Sequence, residues 1–99
     1  MTDNRFYELQ PRFKLGRLVI TPGGLATLRT NRVSITQLLV RHASGDWGDV
    51  SDDDREQNDL SIDTGLRLIS IYTMPDRTKL WVITESDRSA TTFLLPDEY

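Results

Sequence analysis

The sequence predicts an α+β fold, in which one mostly antiparallel four-stranded sheet carries helices on one face. Capping patterns mark the starts of three helices, and three alternating apolar runs follow Gly65. One more apolar run before the first helix completes the order β-α-α-α-β-β-β. The length of 99 residues suits one domain, 1–99, in which residues 1–12 form an N-terminal arm.

The first three elements are placed by their end signals. We expect a strand over Phe13–Ile20 and then a helix over Pro22–Thr30, because Thr21 can cap free amides and proline fits the first helical turn. A second helix begins after Ser34, which matches the capping-box spacing with Gln37.

The second half of the chain predicts one more helix and three strands. Ser51 can cap a third helix that ends at Gly65. Its apolar content is limited to Leu60 and Ile62, so we expect it to pack loosely and to stay solvated on most sides. The strands are expected at Leu66–Thr73, Lys79–Thr84 and Ala90–Leu95. The turn between the first two of them is expected to place Tyr72 opposite Trp81, an aromatic pair that helps to fix a hairpin.

Both faces of the predicted sheet are partly apolar, and the first two helices can cover only one of them. The other face needs a cover from Phe6, Tyr7 and Leu9 of the arm, or from another copy of the chain. Because large apolar patches rarely stay bare, we expect a homodimer.

Composition narrows the classes of function. The chain has 15 acidic and 12 basic residues, one histidine and no cysteine, for a net charge of −3. It therefore offers no disulfide, thiol nucleophile or cysteine zinc site, and no broadly basic surface for nucleic acid. The chain shows no signal-peptide run and no membrane span, so we expect a cytoplasmic protein without membrane contact.

The most unusual run surrounds the single histidine. His42, Asp46 and Asp49 offer one nitrogen and two carboxylates near a helix end, which could bind a divalent metal or orient a base. The alternative is structural, with His42 ending a helix and Trp47 closing the edge of the core. We favour the structural interpretation and predict no metal, cofactor or catalytic residue, because the spacing matches no ligand signature.

The charge is concentrated in one segment. Eight of the 15 acidic residues lie between Asp46 and Asp63, against one arginine. Four of them share one stripe of the predicted third helix: Asp52, Glu56, Asp59 and Asp63. Such a stripe could imitate nucleic-acid phosphates and occupy a basic groove of a partner, or it could simply be a solvated helix face.

Three further patterns could form binding sites. Glu85, Asp87 and Arg88 make a polar loop on a hairpin, where they could bind a ligand or only bond their own backbone. The first two helices could form a helix-turn-helix on DNA, although the turn has no glycine. Gly23 and Gly24 precede a helix as in phosphate-binding loops, but no further motif supports that interpretation.

The chain resembles a family of small proteins from plasmids and integrated mobile elements, some of which are labelled type I restriction endonuclease subunit M. The resemblance rests on runs at Phe13–Arg17, Thr21–Gly23, Arg41–Asp49, Thr78–Glu85, Asp87–Ser89 and Leu94–Tyr99. It implies a mobile-element or host-defence setting. The restriction label does not carry over, because the chain lacks a cofactor-binding domain and an (N/D)PP(Y/F) motif.

These patterns predict a small non-enzymatic binding or regulatory protein that contacts a protein partner through an acidic surface. The first alternative is a nucleic-acid-binding regulator, which would use the basic remainder of the chain. The second alternative is a metal-dependent hydrolase at the histidine, with His42, Asp46 and Asp49 as its ligands.

Overall fold

Four strands form one sheet, with three helices packed around it, in the computed structural model, which describes residues 11–99. The elements are β1 Arg17–Ile20, α1 Pro22–Asn31, α2 Ile35–Ala43, α3 Asp52–Thr64, β2 Leu68–Thr73, β3 Lys79–Thr84 and β4 Ala90–Leu94, followed by a 3₁₀ turn at Pro96–Glu98. The strand order is β1-β4-β3-β2. Only β1 and β4 run parallel among these pairs. The predicted α+β class and order of elements are confirmed.

The three helices begin where their capping residues predicted. Thr21 accepts a hydrogen bond from the Gly24 amide at 3.0 Å, and Ser51 accepts one from the Asp54 amide at 3.1 Å. The Ser34 hydroxyl accepts a hydrogen bond from the Gln37 amide at 3.5 Å. These bonds satisfy amides that lack a partner in the first helical turn.

β1, β2 and β4 are shorter than predicted, β3 has its predicted bounds, and β1 differs most from the prediction. Gly16 has a φ of +65° in the left-handed region, so the extended backbone begins only at Arg17. A Cβ at position 16 would overlap the backbone of Arg88 and Ser89. The chain before this bend brings Phe13 into the core, where it is buried.

The β2–β3 hairpin differs from the prediction by one residue of register. Tyr72 pairs with Leu80, and Trp81 pairs with Ile71, so the predicted pair of Tyr72 with Trp81 is wrong. The connection is a three-residue loop in which Arg77 takes a left-handed φ of 73°. A shift of one residue moves a side chain to the opposite face of the sheet.

The main core lies between one sheet face and the first two helices. Leu28 of α1 and Leu38 of α2 pack with sheet residues that are all nearly inaccessible to solvent: Tyr72, Leu80, Val82 and Phe93. On the opposite face, Ile83 and Leu94 are also buried within the single chain, and Tyr99 packs edge-on against Trp81 at 5.9 Å.

The proposed covers of this second face stay untested. Residues 1–10, with Phe6, Tyr7 and Leu9, lie outside the described part of the chain. A homodimer stays a prediction as well. The burial of Ile83 and Leu94 weakens the original reason for it, because these two apolar side chains need no second copy to exclude water.

The outer edge of β2 is covered by two separate segments. The Asn58 amide accepts from the Ile69 N–H at 3.1 Å and donates to the Ile69 carbonyl at 2.8 Å. Ile71 exchanges backbone bonds with Trp47 and Asp49 at 3.0 and 2.7 Å. These contacts satisfy an edge that would otherwise invite pairing with another strand.

The helix that supplies Asn58 packs against the sheet through few apolar side chains. Asn58 and Ser61 are its buried residues, Ile62 is half-buried against the core, and Leu60 is 63% exposed, so of the two apolar residues only Ile62 packs inside. Polar anchoring to the edge of β2 adds to this single apolar contact. Within residues 11–99, no helix has the length and apolar character that crossing a membrane requires.

Candidate functional site

The histidine lies inside the protein, in the last turn of α2. His42 is fully buried and packs edge-on against Phe13 and Trp47, with ring centroids 5.3 and 5.6 Å apart. Its Nδ1 lies 2.6 Å from the Ser70 hydroxyl, and its Nε2 lies 2.9 Å from the Thr84 hydroxyl. Both ring nitrogens therefore have a partner.

These bonds continue as a chain through the core. The Thr84 and Thr91 hydroxyls lie 2.7 Å apart, and Thr91 donates to the Leu15 carbonyl at 2.7 Å. Among the described residues, every buried polar side-chain atom has a hydrogen-bond partner. We name His42, Ser70, Thr84 and Thr91 the buried polar chain. Such fully satisfied networks specify a single packing of a core.

Burial lowers the pKa of His42 to about 3. An unfolded histidine titrates near pH 6.5, so the unfolded chain binds more protons than the folded chain between these two values. We expect the neutral imidazole of His42 to make its full contribution to the free energy of unfolding above pH 6.5. As the pH falls below this value, the free energy of unfolding should decline, by about 2–3 kcal/mol at pH 4.5. Urea unfolding of the wild type from pH 7 to 4.5 measures this.

The control for this prediction is the variant His42→Gln, which removes the titrating group but keeps a polar side chain. Its free energy of unfolding should depend less steeply on pH than that of the wild type between pH 6.5 and 4.5. Parallel pH profiles for the two proteins would show that His42 does not contribute to the acid sensitivity.

The structure does not bring His42 together with Asp46 and Asp49. Asp46 forms a two-bond ion pair with Arg41, at 2.7 and 3.2 Å, and this contact lowers the pKa of its carboxyl group. Asp49 accepts a hydrogen bond from the Thr73 hydroxyl at 2.6 Å, which lowers its pKa. Within residues 11–99, no group of three histidine, cysteine or acidic side chains could hold a metal ion.

Trp47 lies in the core, as the structural interpretation expected, and it also connects the core to α3. The indole is 1% exposed, and its Nε1 donates to an Asp59 oxygen at 2.9 Å. Asp59, one of the predicted binding residues, is therefore also a fixed acceptor for a buried group. This contact was missed because no local sequence pattern joins residues 12 positions apart across a turn.

The Glu85–Ser89 loop is held by its own hydrogen bonds and by contacts with the end of α3. The Arg88 guanidinium donates to the carbonyls of Leu66 and Ser61, both at 2.7 Å, and so holds the end of α3 against the hairpin. Asp87 accepts from the Ser89 amide at 2.9 Å, and the bonds to Ser89 lower its pKa. Glu85 is exposed to solvent.

The possible phosphate site at Gly23 and Gly24 is occupied by the protein itself. One Glu98 oxygen accepts from the Thr21 hydroxyl at 2.6 Å, and the other accepts from the Gly23 amide at 2.9 Å. These contacts lower the pKa of Glu98. The carboxylate thus takes the position at the start of α1 where an anion would bind. Sequence reasoning missed it, because the partners lie 75 residues apart.

The acidic segment remains open to solvent. Asp59 accepts the hydrogen bond from the Trp47 indole. The Arg55 guanidinium donates to the carbonyls of Gly48 and Val50, at 3.4 Å each. Five other carboxylates of α3 are exposed and form no described ion pair: Asp52, Asp53, Asp54, Glu56 and Asp63. We name these five residues the acidic α3 surface.

The fold and these sites together define an α+β domain with a buried polar chain and an exposed acidic helix. No protein-family model, curated protein or solved structure matches the chain.

Proposed function

We propose that this is a small non-enzymatic binding or regulatory protein that contacts a basic protein partner through the acidic α3 surface. The observation that carries the proposal is the exposure of five carboxylates on one helix, with no guanidinium of the described chain paired to them. The resemblance to mobile-element proteins supports a mobile-element or host-defence setting.

The helix is well suited to present this charge. Its buried side holds Asn58 against β2, and Arg88 binds the carbonyl of Ser61 near its last turn. Asp52, Asp53 and Asp54 lie in the first turn, where the helix dipole stabilises negative charge. A rigid surface of one sign speeds encounter with a partner of the opposite sign and discourages partners of like charge.

The surroundings of His42 support a structural rather than a catalytic role for it. A general base needs access to a substrate proton and a pKa near the working pH. The imidazole is fully buried, both of its nitrogens are engaged by hydroxyls, and its pKa lies near 3. The metal-dependent hydrolase alternative would require His42, Asp46 and Asp49 to leave their present partners.

The nucleic-acid alternative has less support than the protein partner. In its helix-turn-helix form it would use three arginines around the first two helices to bind phosphates: Arg29, Arg32 and Arg41. Arg41 is committed to Asp46 at 2.7 Å and lies over the Tyr72 ring at 4.4 Å. The remaining two flank an apolar groove rather than a continuous basic surface.

Charge reversal tests the proposal. We expect the variant Asp52→Lys/Glu56→Lys to capture at least about tenfold less host protein than the wild type, because like charges then face the partner's basic surface. Asp59 is left unchanged, since it accepts from the buried Trp47 indole. The measurement is quantitative mass spectrometry of host proteins co-purified with each tagged variant.

The matched control is Glu85→Lys/Asp97→Lys, which changes the net charge equally at two exposed positions that do not belong to α3. It should capture the same partners as the wild type. Equal loss in both variants would indicate a general effect of charge, and full capture by the α3 variant would contradict the proposal. A nucleic acid recovered in place of a protein would favour the alternative.

A further inference from the structure

A shallow apolar groove lies between α1 and α2. It has a volume of about 340 Å³, and its apolar lining comes from the end of β1, from α1, from the α1–α2 connection and from the start of α2: Ile20, Leu25, Leu28, Val33 and Ile35. Ile35 is 37% exposed although it begins a helix with a strongly apolar side. The groove therefore offers apolar surface that an entering side chain could cover.

Two arginines border this groove. Arg29 lies in the last turn of α1, and Arg32 follows it as the helix cap with a left-handed φ of 54°. Both are exposed, and within residues 11–99 neither side chain forms a hydrogen bond or ion pair. The groove thus combines an apolar floor with two cations at its rim.

One stripe of α3 has the complementary arrangement. Leu60 is 63% exposed, and Glu56 and Asp63 lie four residues before it and three after it, on the same side of the helix. Asp53 lies one more turn toward the start of α3. An isolated exposed leucine is ordinary, but a leucine framed by carboxylates matches an apolar groove framed by guanidinium groups.

We propose that the α1–α2 groove binds α3 of a second copy of this chain, with Leu60 in the groove and Glu56 and Asp63 facing Arg29 and Arg32. This inference goes beyond the proposed function, because it gives the acidic α3 surface a second partner, another copy of the chain, in addition to a basic protein. The contact joins two different surfaces, so each copy can both give and receive a helix. It uses the helix-in-groove mode of recognition.

The apolar area and the exposed ion pairs of such a contact determine its strength and its salt dependence. The apolar area is small and the ion pairs are exposed, so association should be weak and should weaken further with added salt. Because the two surfaces lie on different parts of the chain, each can be removed without the other. A pair of variants with one intact surface each should then complement each other.

The experiment uses sedimentation velocity of the full chain in low salt. The groove variant is Arg29→Glu/Arg32→Glu, and the helix variant is Glu56→Gln/Leu60→Gln. We expect the wild type to associate with rising concentration and each variant alone to remain monomeric. An equal mixture should form a 1:1 dimer, because one intact groove meets one intact helix. The control Glu85→Gln/Asp97→Asn should associate like the wild type.

Three results would overturn the inference: a wild type that stays monomeric to about 1 mM, a groove variant that associates normally, or a mixture that stays monomeric. A monomeric chain whose capture of host proteins still depends on Asp52 and Glu56 would remove this inference and leave the proposed function standing. Complementation between the variants, with host capture unaffected by charge reversal, would support this inference and contradict the proposed function.

Discussion

Replacing His42 by alanine is expected to lower the free energy of unfolding by about 3–5 kcal/mol. The substitution empties the space between the Phe13 and Trp47 rings, which lie 5.3 and 5.6 Å from the imidazole. It also removes the partner of the Ser70 hydroxyl and one partner of Thr84, both of which are buried. A cavity and an unsatisfied polar group each destabilise a core, and here they occur together.

Urea unfolding at pH 7 measures this loss, because the imidazole is neutral there in both the folded and most of the unfolded chain. Val40→Ala is the matched control, since Val40 lies two residues earlier on α2 and is 44% exposed. We expect it to change stability by less than about 0.5 kcal/mol. A loss below about 1 kcal/mol for His42→Ala would show that the buried polar chain is not a determinant of the fold.

Gly48→Ala is expected to destabilise the protein by about 3 kcal/mol or more. Gly48 has a φ of +74° and forms a parallel bridge with Ile71 along the edge of β2. A Cβ at this position would overlap the Ile71 carbonyl oxygen and would lie 2.7 Å from the Tyr72 ring. Because Tyr72 is buried and Ile71 belongs to the sheet, neither can move away without breaking other contacts.

Gly65→Ala separates the two causes of this destabilisation, the left-handed backbone and the steric overlap of the new Cβ. Gly65 has a similar φ of +77°, but nothing lies within 4 Å of a Cβ built there. It should therefore cost only the strain of a left-handed alanine, about 1–2 kcal/mol. Thermal unfolding of the two variants measures the difference. Equal losses would contradict the close approach of residues 47–49 to the edge of β2.

Local patterns in the sequence were sufficient for the helix starts and the fold class. Thr21, Ser34 and Ser51 cap as predicted, because a cap depends on residues within three positions. The predicted hairpin register was wrong because Arg77 adopts a left-handed backbone conformation, which sequence patterns associate with glycine or asparagine. Leu60 makes no apolar contact with the core, since Asn58 and Ile62 hold α3 against the sheet instead.

The candidate site was predicted in part. The sequence singled out the run around His42 and favoured a structural role, but it could not show which hydroxyls would saturate the imidazole. Ser70 and Thr84 lie 28 and 42 residues away, and only the sheet brings them together. The same reason hides the capture of Glu98 at the start of α1 and the anchoring of Arg88 on α3. Tertiary pairs of polar groups leave no local pattern.

The central claim is that His42 has a structural role whereas α3 carries the binding surface. One comparison of two variants tests this claim most directly. Host-protein capture is measured side by side for His42→Gln and for Asp52→Lys/Glu56→Lys, with each amount corrected for the folded fraction. We expect the folded His42→Gln protein to keep its partners and the charge-reversed protein to lose them at least about tenfold. Loss of capture with His42→Gln and retention with the reversed helix would contradict the assignment.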